Sequence, residues 1–157
     1  MTTLLPMRPE RFASYLEAAI AGYAQDNVSA GRWPDVGALE RSRDDFALLL
    51  PQGLATPEHF LYEILAGDGG PTVGSLWARI ERKHGAVSAY VYDLEIAPAF
   101  RRQGHAERAL QALEALAAAA GASGIGLNVF AGNTGAQALY RKLGYATTNF
   151  NMSKLLG

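Results

Sequence analysis

The 157-residue chain contains no cysteine, which excludes disulfides, thiolate zinc sites and a cysteine nucleophile together. It has no excess of either charge. Fourteen basic and fifteen acidic side chains leave a net charge of −1, so no general field draws the chain to nucleic acid or to an anionic membrane. No apolar run approaches the ~20 residues that a bilayer span requires. The opening MTTLLPMRPERF carries no long apolar segment behind a basic start, so a cytoplasmic protein with neither nucleic-acid nor membrane partners is expected. The motifs GxxxxGKS/T, GxGxxG, HExxH and GxSxG are all missing, which removes the usual supports for ATP hydrolysis, dinucleotide binding, zinc proteolysis and a serine elbow. His59, His84 and His105 show no ligand spacing. They read as strand-end, turn and helix-start residues, and no metal is expected.

What is present is an apolar content of 49% over a length that suits one domain with one core. Thr3 to Met7 reads as an edge strand, and Pro9 suits the first turn of a helix. Phe12, Tyr15, Leu16, Ala19 and Tyr23 share one face of that helix. After a turn at Gly31 to Pro34, the positions of Val36, Leu39, Phe46 and Leu49 mark a second amphipathic helix that Pro51-Gln52-Gly53 ends. From His59 the rhythm is that of strands: HFLYEILA, a Gly67-Asp68-Gly69-Gly70-Pro71 turn, then TVGSLWARIERK, in which Leu76, Ala78 and Ile80 alternate with Trp77, Arg79 and Glu81. Lys83-His84-Gly85 turns the chain back into the strand expected at the centre of the sheet. Beyond a long helix, Ile125 to Phe130 reads as a buried strand and Asn133 to Leu143 as a short helix. Thr147 to Leu155 reads as a last strand. There is no internal repeat, linker or low-complexity segment. The order of elements predicts an α/β (α+β) fold with a mixed, mostly antiparallel central sheet flanked by helices.

The stretch from Tyr90 to Gly121 organises the rest. Tyr90 to Ile96 is aromatic and β-branched enough for a buried strand, which Ala97-Pro98 stops. Ala106, Leu110, Leu113, Ala117 and Ala120 then recur at spacings of three and four, so a helix runs from near Gly104 to Gly121. Between strand and helix lies Arg101-Arg102-Gln103-Gly104-His105-Ala106. Its small residues let a ligand approach the backbone, and the first amides of the helix lack intrahelical partners. Such a turn suits phosphate. The other reading is a solvated basic turn before an alanine-rich helix.

Arg101-x-x-Gly104-x-Ala106 resembles the Gln/Arg-x-x-Gly-x-Gly/Ala signature of the GNAT (GCN5-related) N-acetyltransferases, whose loop cradles the pyrophosphate of acetyl-CoA. Leu94-Glu95-Ile96-Ala97-Pro98 is similar to the strand end that precedes this loop in the family. Asn133, Ala136, Tyr140, Gly144 and Tyr145 match the spacing of its downstream Asn-x-x-Ala-x-x-x-Tyr-x-x-x-Gly-Phe/Tyr pattern. The resemblance covers residues 72–155. It implies a GNAT-like fold, a single acetyltransferase domain over residues 1–157 of a small bacterial type, and acetyl-CoA as co-substrate. The implied cofactor-binding residues are Leu94, Glu95, Ile96, Arg101, Arg102, Gln103, Gly104, His105, Ala106, Asn133 and Tyr140. The implied partner is a small-molecule or peptide amine, and the resemblance leaves room for a homodimer.

Acyl transfer from a thioester to an amine needs a proton acceptor and a proton donor. An alkylammonium of pKa ~10.4 is about one part in 2,500 neutral at pH 7, so presenting the free amine costs roughly 4.6 kcal/mol. A tyrosine of pKa ~10 can protonate a thiolate of pKa ~8.5 at a cost of roughly 2 kcal/mol. The resemblance places Tyr140 at the family's acid position, and Tyr140 also fits the core face of its helix; both readings are compatible. The base stays open between Glu95, at a position where other members place a carboxylate, Asp93 on the same strand, and water. Each acid also reads as a half-exposed strand carboxylate or a partner for Arg101 or Arg102. Where some members carry a glutamate, five residues before the cofactor asparagine, this chain has Asn128, which takes no proton at neutral pH. Without cysteine, direct attack by the amine is expected. The alternative is a GNAT-like module that holds acyl-CoA and transfers nothing. No motif identifies the acceptor.

Overall fold

Pro9 has no amide to lose in the first turn of a helix, and the helix that it opens, α1 (Pro9–Ser29), follows a short strand, β1 (Thr3–Pro6). In the computed structural model, which describes all 157 residues, the chain continues through α2 (Ala38–Leu49), β2 (His59–Leu65), β3 (Thr72–Lys83), β4 (Ala86–Ile96), α3 (His105–Ala119), β5 (Ile125–Leu127) and α4 (Thr134–Lys142). The strands lie side by side in chain order. β1 to β4 pair antiparallel, and β5 pairs parallel with β4 across the connection that contains α3. This is the mixed, mostly antiparallel sheet that the alternation of elements predicts.

Both faces of the sheet are covered. On one face Ile64, Val73, Leu76, Val91 and Ile96 pack against Ala109, Leu110 and Leu113 of α3. On the other, Met7, Leu61 and Trp77 pack against Ile20 of α1 and Phe46 of α2. Neighbours Leu76 and Trp77 point to opposite faces and are 0% and 2% exposed, as expected for a strand whose two sides are both buried. Full burial of side chains of this kind stabilises by about 1.5–3 kcal/mol each.

Four expectations need correcting. Val36 is not part of the second helix: Gly37, at φ +80°, turns the chain left-handed ahead of Ala38, and Val36 stays in solvent. α2 instead buries Ala38, Ser42 and Phe46, and the Ser42 hydroxyl donates to the Ile20 carbonyl at 2.7 Å, drawing α2 close to α1. β3, not β4, is the middle strand. β5 spans only Ile125–Leu127 and is half-buried, because its pairing with β4 ends at Val91. There β4 carries an extra residue, Tyr92, between the partners of Trp77 and Ala78. A bulge of this kind bends a strand away from its neighbour. Finally, Thr147 to Leu155 forms no strand. α4 is closed by the Tyr145 amide on the Tyr140 carbonyl at 2.9 Å, and no backbone bond joins the following residues to the sheet. The outer edge of β5, the last strand of the sheet and only three residues long, receives no ladder from this segment, which stays irregular.

Candidate active site

The loop after β4 turns on two left-handed residues, Arg102 at φ +62° and Gly104 at φ +79°. The amides of Arg102 through Glu107 donate to no acceptor in the chain; the first bond of the helix is Arg108 N–H to the Gly104 carbonyl at 3.1 Å. Successive free amides stand at the start of a 15-residue helix, an array of the kind that binds anions. Arg108 lies against it. Its Nη2 donates to the Gln103 carbonyl at 2.8 Å and its Nε to the Thr2 hydroxyl at 2.8 Å, while that hydroxyl is 3.0 Å from His105 Nδ1. His105 is buried, and burial first, then the Arg108 charge, pushes its pKa down, which keeps the ring neutral. Arg101 folds back on β4, with Nε on the Ile96 carbonyl at 2.8 Å and Nη2 3.3 Å from Glu95. Arg102 is exposed and its guanidinium is unpaired. Arg108 was not among the residues singled out in the sequence; the available signal was its place one helical turn after Gly104.

Where β4 and β5 part, a cavity of about 770 Å³ opens between them and runs under α1 and α2. Of the residues expected from sequence, its wall brings together Leu94, Glu95, Asn133 and Tyr140; Ile96 and Arg101 to Ala106 are not part of it. Ile96 is in the core instead. Asn133 caps α4 by accepting from the Ala136 amide at 3.2 Å. Glu95 is exposed and held by Arg101.

The chemistry-bearing groups of this wall are Asp93 and Tyr140. Asp93 accepts a hydrogen bond from the Tyr15 hydroxyl at 2.8 Å. Burial raises its pKa to about 6; the Tyr15 hydrogen bond opposes this, and the charges of Glu95 and Asp26 add to it. Tyr140 is held above the ordinary tyrosine range by burial and then by the Asp93 charge. Its hydroxyl has no hydrogen-bond partner in the chain, while its ring packs 5.8 Å from that of Tyr145. A proton acceptor poised near neutrality and a free hydroxyl donor thus face one cleft. Tyr15, Asp26 and Asp45 also line it. The sequence treated Tyr15 as a core position and passed over both acids, because their common cavity forms only when α1, α2 and β4 meet.

The profile of the Acetyltransferase (GNAT) family matches residues 20–145. An uncharacterized N-acetyltransferase of Bacillus subtilis, YycN, is 38% identical over 99% of this chain and all of its own length. A second from the same organism, YdgE, is 34% identical over 98% of both chains. The crystal structure of YycN superposes with a TM-score of 0.94, covering 99% of each chain at 37% identity. An acetyl transferase structure from Pyrococcus furiosus superposes with a TM-score of 0.71 at 25% identity, over 99% of this chain and all of that one.

Proposed function

The chain belongs to the GNAT acetyltransferase family, and from that premise we propose that it moves the acetyl group of acetyl-CoA to a primary amine by direct attack. The observation that carries this reading is the position of Asp93 and Tyr140 on one cavity wall at the bulge of β4. Acetyl-CoA supplies the thioester. The amides of Arg102 through Glu107 bind its pyrophosphate, with Arg102 and Arg108 adding positive charge, and Asn133 holds the pantetheine side.

Asp93 takes the proton that the attacking nitrogen must shed. Raising its pKa from 3.8 to about 6 narrows the uphill transfer from an ammonium by about 3 kcal/mol. Glu95, tied to Arg101 at the surface, lines the rim and contributes charge. As the new C–N bond forms and the C–S bond breaks, the Tyr140 hydroxyl protonates the departing sulfur. Burial, which keeps Tyr140 un-ionised, supports that role. The ammonium's first proton passes from Asp93 to bulk water. The proton that the nitrogen loses after attack returns through Asp93 and water to Tyr140, so ammonium and thioester give amide, thiol and one released proton.

The test is release of free thiol from acetyl-CoA when primary amines are supplied. Amine-dependent thiol with matching amide product is expected. CoA binding without thiol release across a broad amine panel would favour instead a domain that holds acyl-CoA and transfers nothing.

A further inference from the structure

We propose that His59 of β2 is a positioning residue for the base: by holding the Trp77 indole it clamps Tyr92, the extra residue of β4, and so turns Asp93 to the α1 side of the sheet. The proposal rests on the acetyltransferase reading in which Asp93 takes the proton.

Its first support is a change of side along β4. Ala89 and Val91 face α3, where they pack with Ala117 and with Leu110 and Leu113. Strict alternation would send Asp93 to that face as well. Instead Leu94 and Ile96 face α3, and Tyr92 and Asp93 both lie on the other side. Tyr92 packs in the cluster of Trp77, Ile20 and Phe46, and Asp93 accepts from the Tyr15 hydroxyl of α1. The phase changes where Tyr92 stands opposite no residue of β3, since Trp77 pairs with Asp93 and Ala78 with Val91. A bulge re-aims side chains in this way. Shifted one residue toward Ile96, the same bulge would point Asp93 into the α3 face.

The second support is what fixes Tyr92. Its ring stacks on Trp77 at 4.6 Å between centroids and 23° between planes, and on His59 at 5.7 Å and 25°. Tyr90 meets it edge-on at 4.9 Å. Such pairs hold ring planes to a narrow set of arrangements. The Trp77 indole is 2% exposed, and its Nε1–H donates to His59 Nδ1 at 3.0 Å. An indole only donates, so the bond requires a neutral imidazole with its proton on Nε2. Burial and then the Arg79 charge lower the His59 pKa, which keeps Nδ1 free to accept. A buried N–H that loses its acceptor turns toward another, and the ring that carries Tyr92 would turn with it.

The third support is where His59 stands. Trp77, Tyr92 and Asp93 line the cavity, and His59 does not. Its effect on turnover therefore passes through the two rings.

The experiment compares His59→Phe, which keeps a ring but offers no acceptor, with His59→Asn, whose Oδ1 takes the place of Nδ1. In each the Asp93 carboxyl is titrated by carbon NMR, and thiol release from acetyl-CoA with the most active primary amine gives kcat and KM. The groups that face this carboxyl, namely Tyr15, Asp26, Glu95 and Tyr140, are the same in both variants. In His59→Phe the Asp93 midpoint should fall as the carboxyl leaves its buried place, and kcat should drop by roughly ten- to a hundredfold with KM little changed. His59→Asn should restore both toward the wild type. A native midpoint or a native kcat in folded His59→Phe would overturn the proposal. Equal losses in the two variants would do the same, since they would make His59 a packing residue alone. Should His59→Phe not fold, His59→Leu, which also lacks an acceptor, is read by the same criteria. In a wild type that releases no thiol the acetyltransferase reading fails, and the Asp93 midpoint then decides the clamp by itself.

Discussion

The hydroxyl of Tyr15 donates to Asp93 across 2.8 Å, linking two residues 78 positions apart. The contact joins α1 to the bulged end of β4, and it favours the ionised carboxylate against the burial that raises its pKa to about 6. A base must be ionised to accept a proton. kcat/KM should therefore rise with pH through a limb near 6 and level off above it. Asp93→Asn should remove that limb and lower turnover by roughly 10²- to 10⁴-fold. Tyr15→Phe takes away only the stabilising hydrogen bond, so the limb should move to higher pH. Near-native turnover in Asp93→Asn would dismiss Asp93 as the base.

Tyr140→Phe keeps the ring against Tyr145 and deletes a hydroxyl that bonds to nothing in the chain. Melting temperature and CoA affinity should barely change. Turnover should fall by roughly 10²- to 10⁴-fold, in kcat more than in KM. A variant with altered stability and full turnover would make Tyr140 a packing residue alone.

At Gly104 a side chain faces two obstacles. The left-handed backbone, at φ +79°, strains any L-residue, and a Cβ would stand 2.6 Å from Arg108 Nη1. Gly104→Glu would also bring a carboxylate among the free amides, where it competes with phosphate. Calorimetry should find CoA binding lost; a folded variant of unchanged affinity would clear this loop of any phosphate role. Because Arg101 is committed to the Ile96 carbonyl and Glu95, Arg101→Ala should weaken CoA less than Arg102→Ala does.

Stability should depend on one buried carboxylate. Glu63, with its side chain 2% exposed, accepts from the Arg8 backbone amide, Nε and Nη2 and from the Thr72 hydroxyl. These bonds, the Arg8 side-chain bond foremost, hold its pKa down from 4.5 to about 2. A depressed carboxylate contributes stability above its unfolded pKa and loses it as pH falls through the folded one. The contribution, about 3 kcal/mol, should therefore disappear between roughly pH 4.5 and 2. Denaturant midpoints measured across that range should fall steeply in the wild type and flatten in Glu63→Gln, which should also be less stable at pH 7. Parallel profiles in the two proteins would refute the assignment.

What the sequence determined by itself is what local interactions decide. Proline at the start of α1, the three-and-four spacing of Ala106, Leu110, Leu113 and Ala117, the turn residues between β2, β3 and β4, and Asn133 ahead of α4 each act within a few residues, and each element formed where its signal stood. The loop around Gly104 was legible for the same reason: its free amides follow from a helix beginning after a left-handed glycine. The tertiary structure alone decided the rest. Whether Thr147 to Leu155 becomes a strand depends on its meeting the outer edge of β5, and the length of β5 depends on where the bulge at Tyr92 bends β4. The pKa of Asp93 depends on α1 covering it and on Tyr15 reaching it. Asp26 and Asp45 line one cavity only because α1 and α2 both border it. Burial, pairing and charge coupling act between residues far apart in the chain, and nothing in a local pattern specifies which of them will meet.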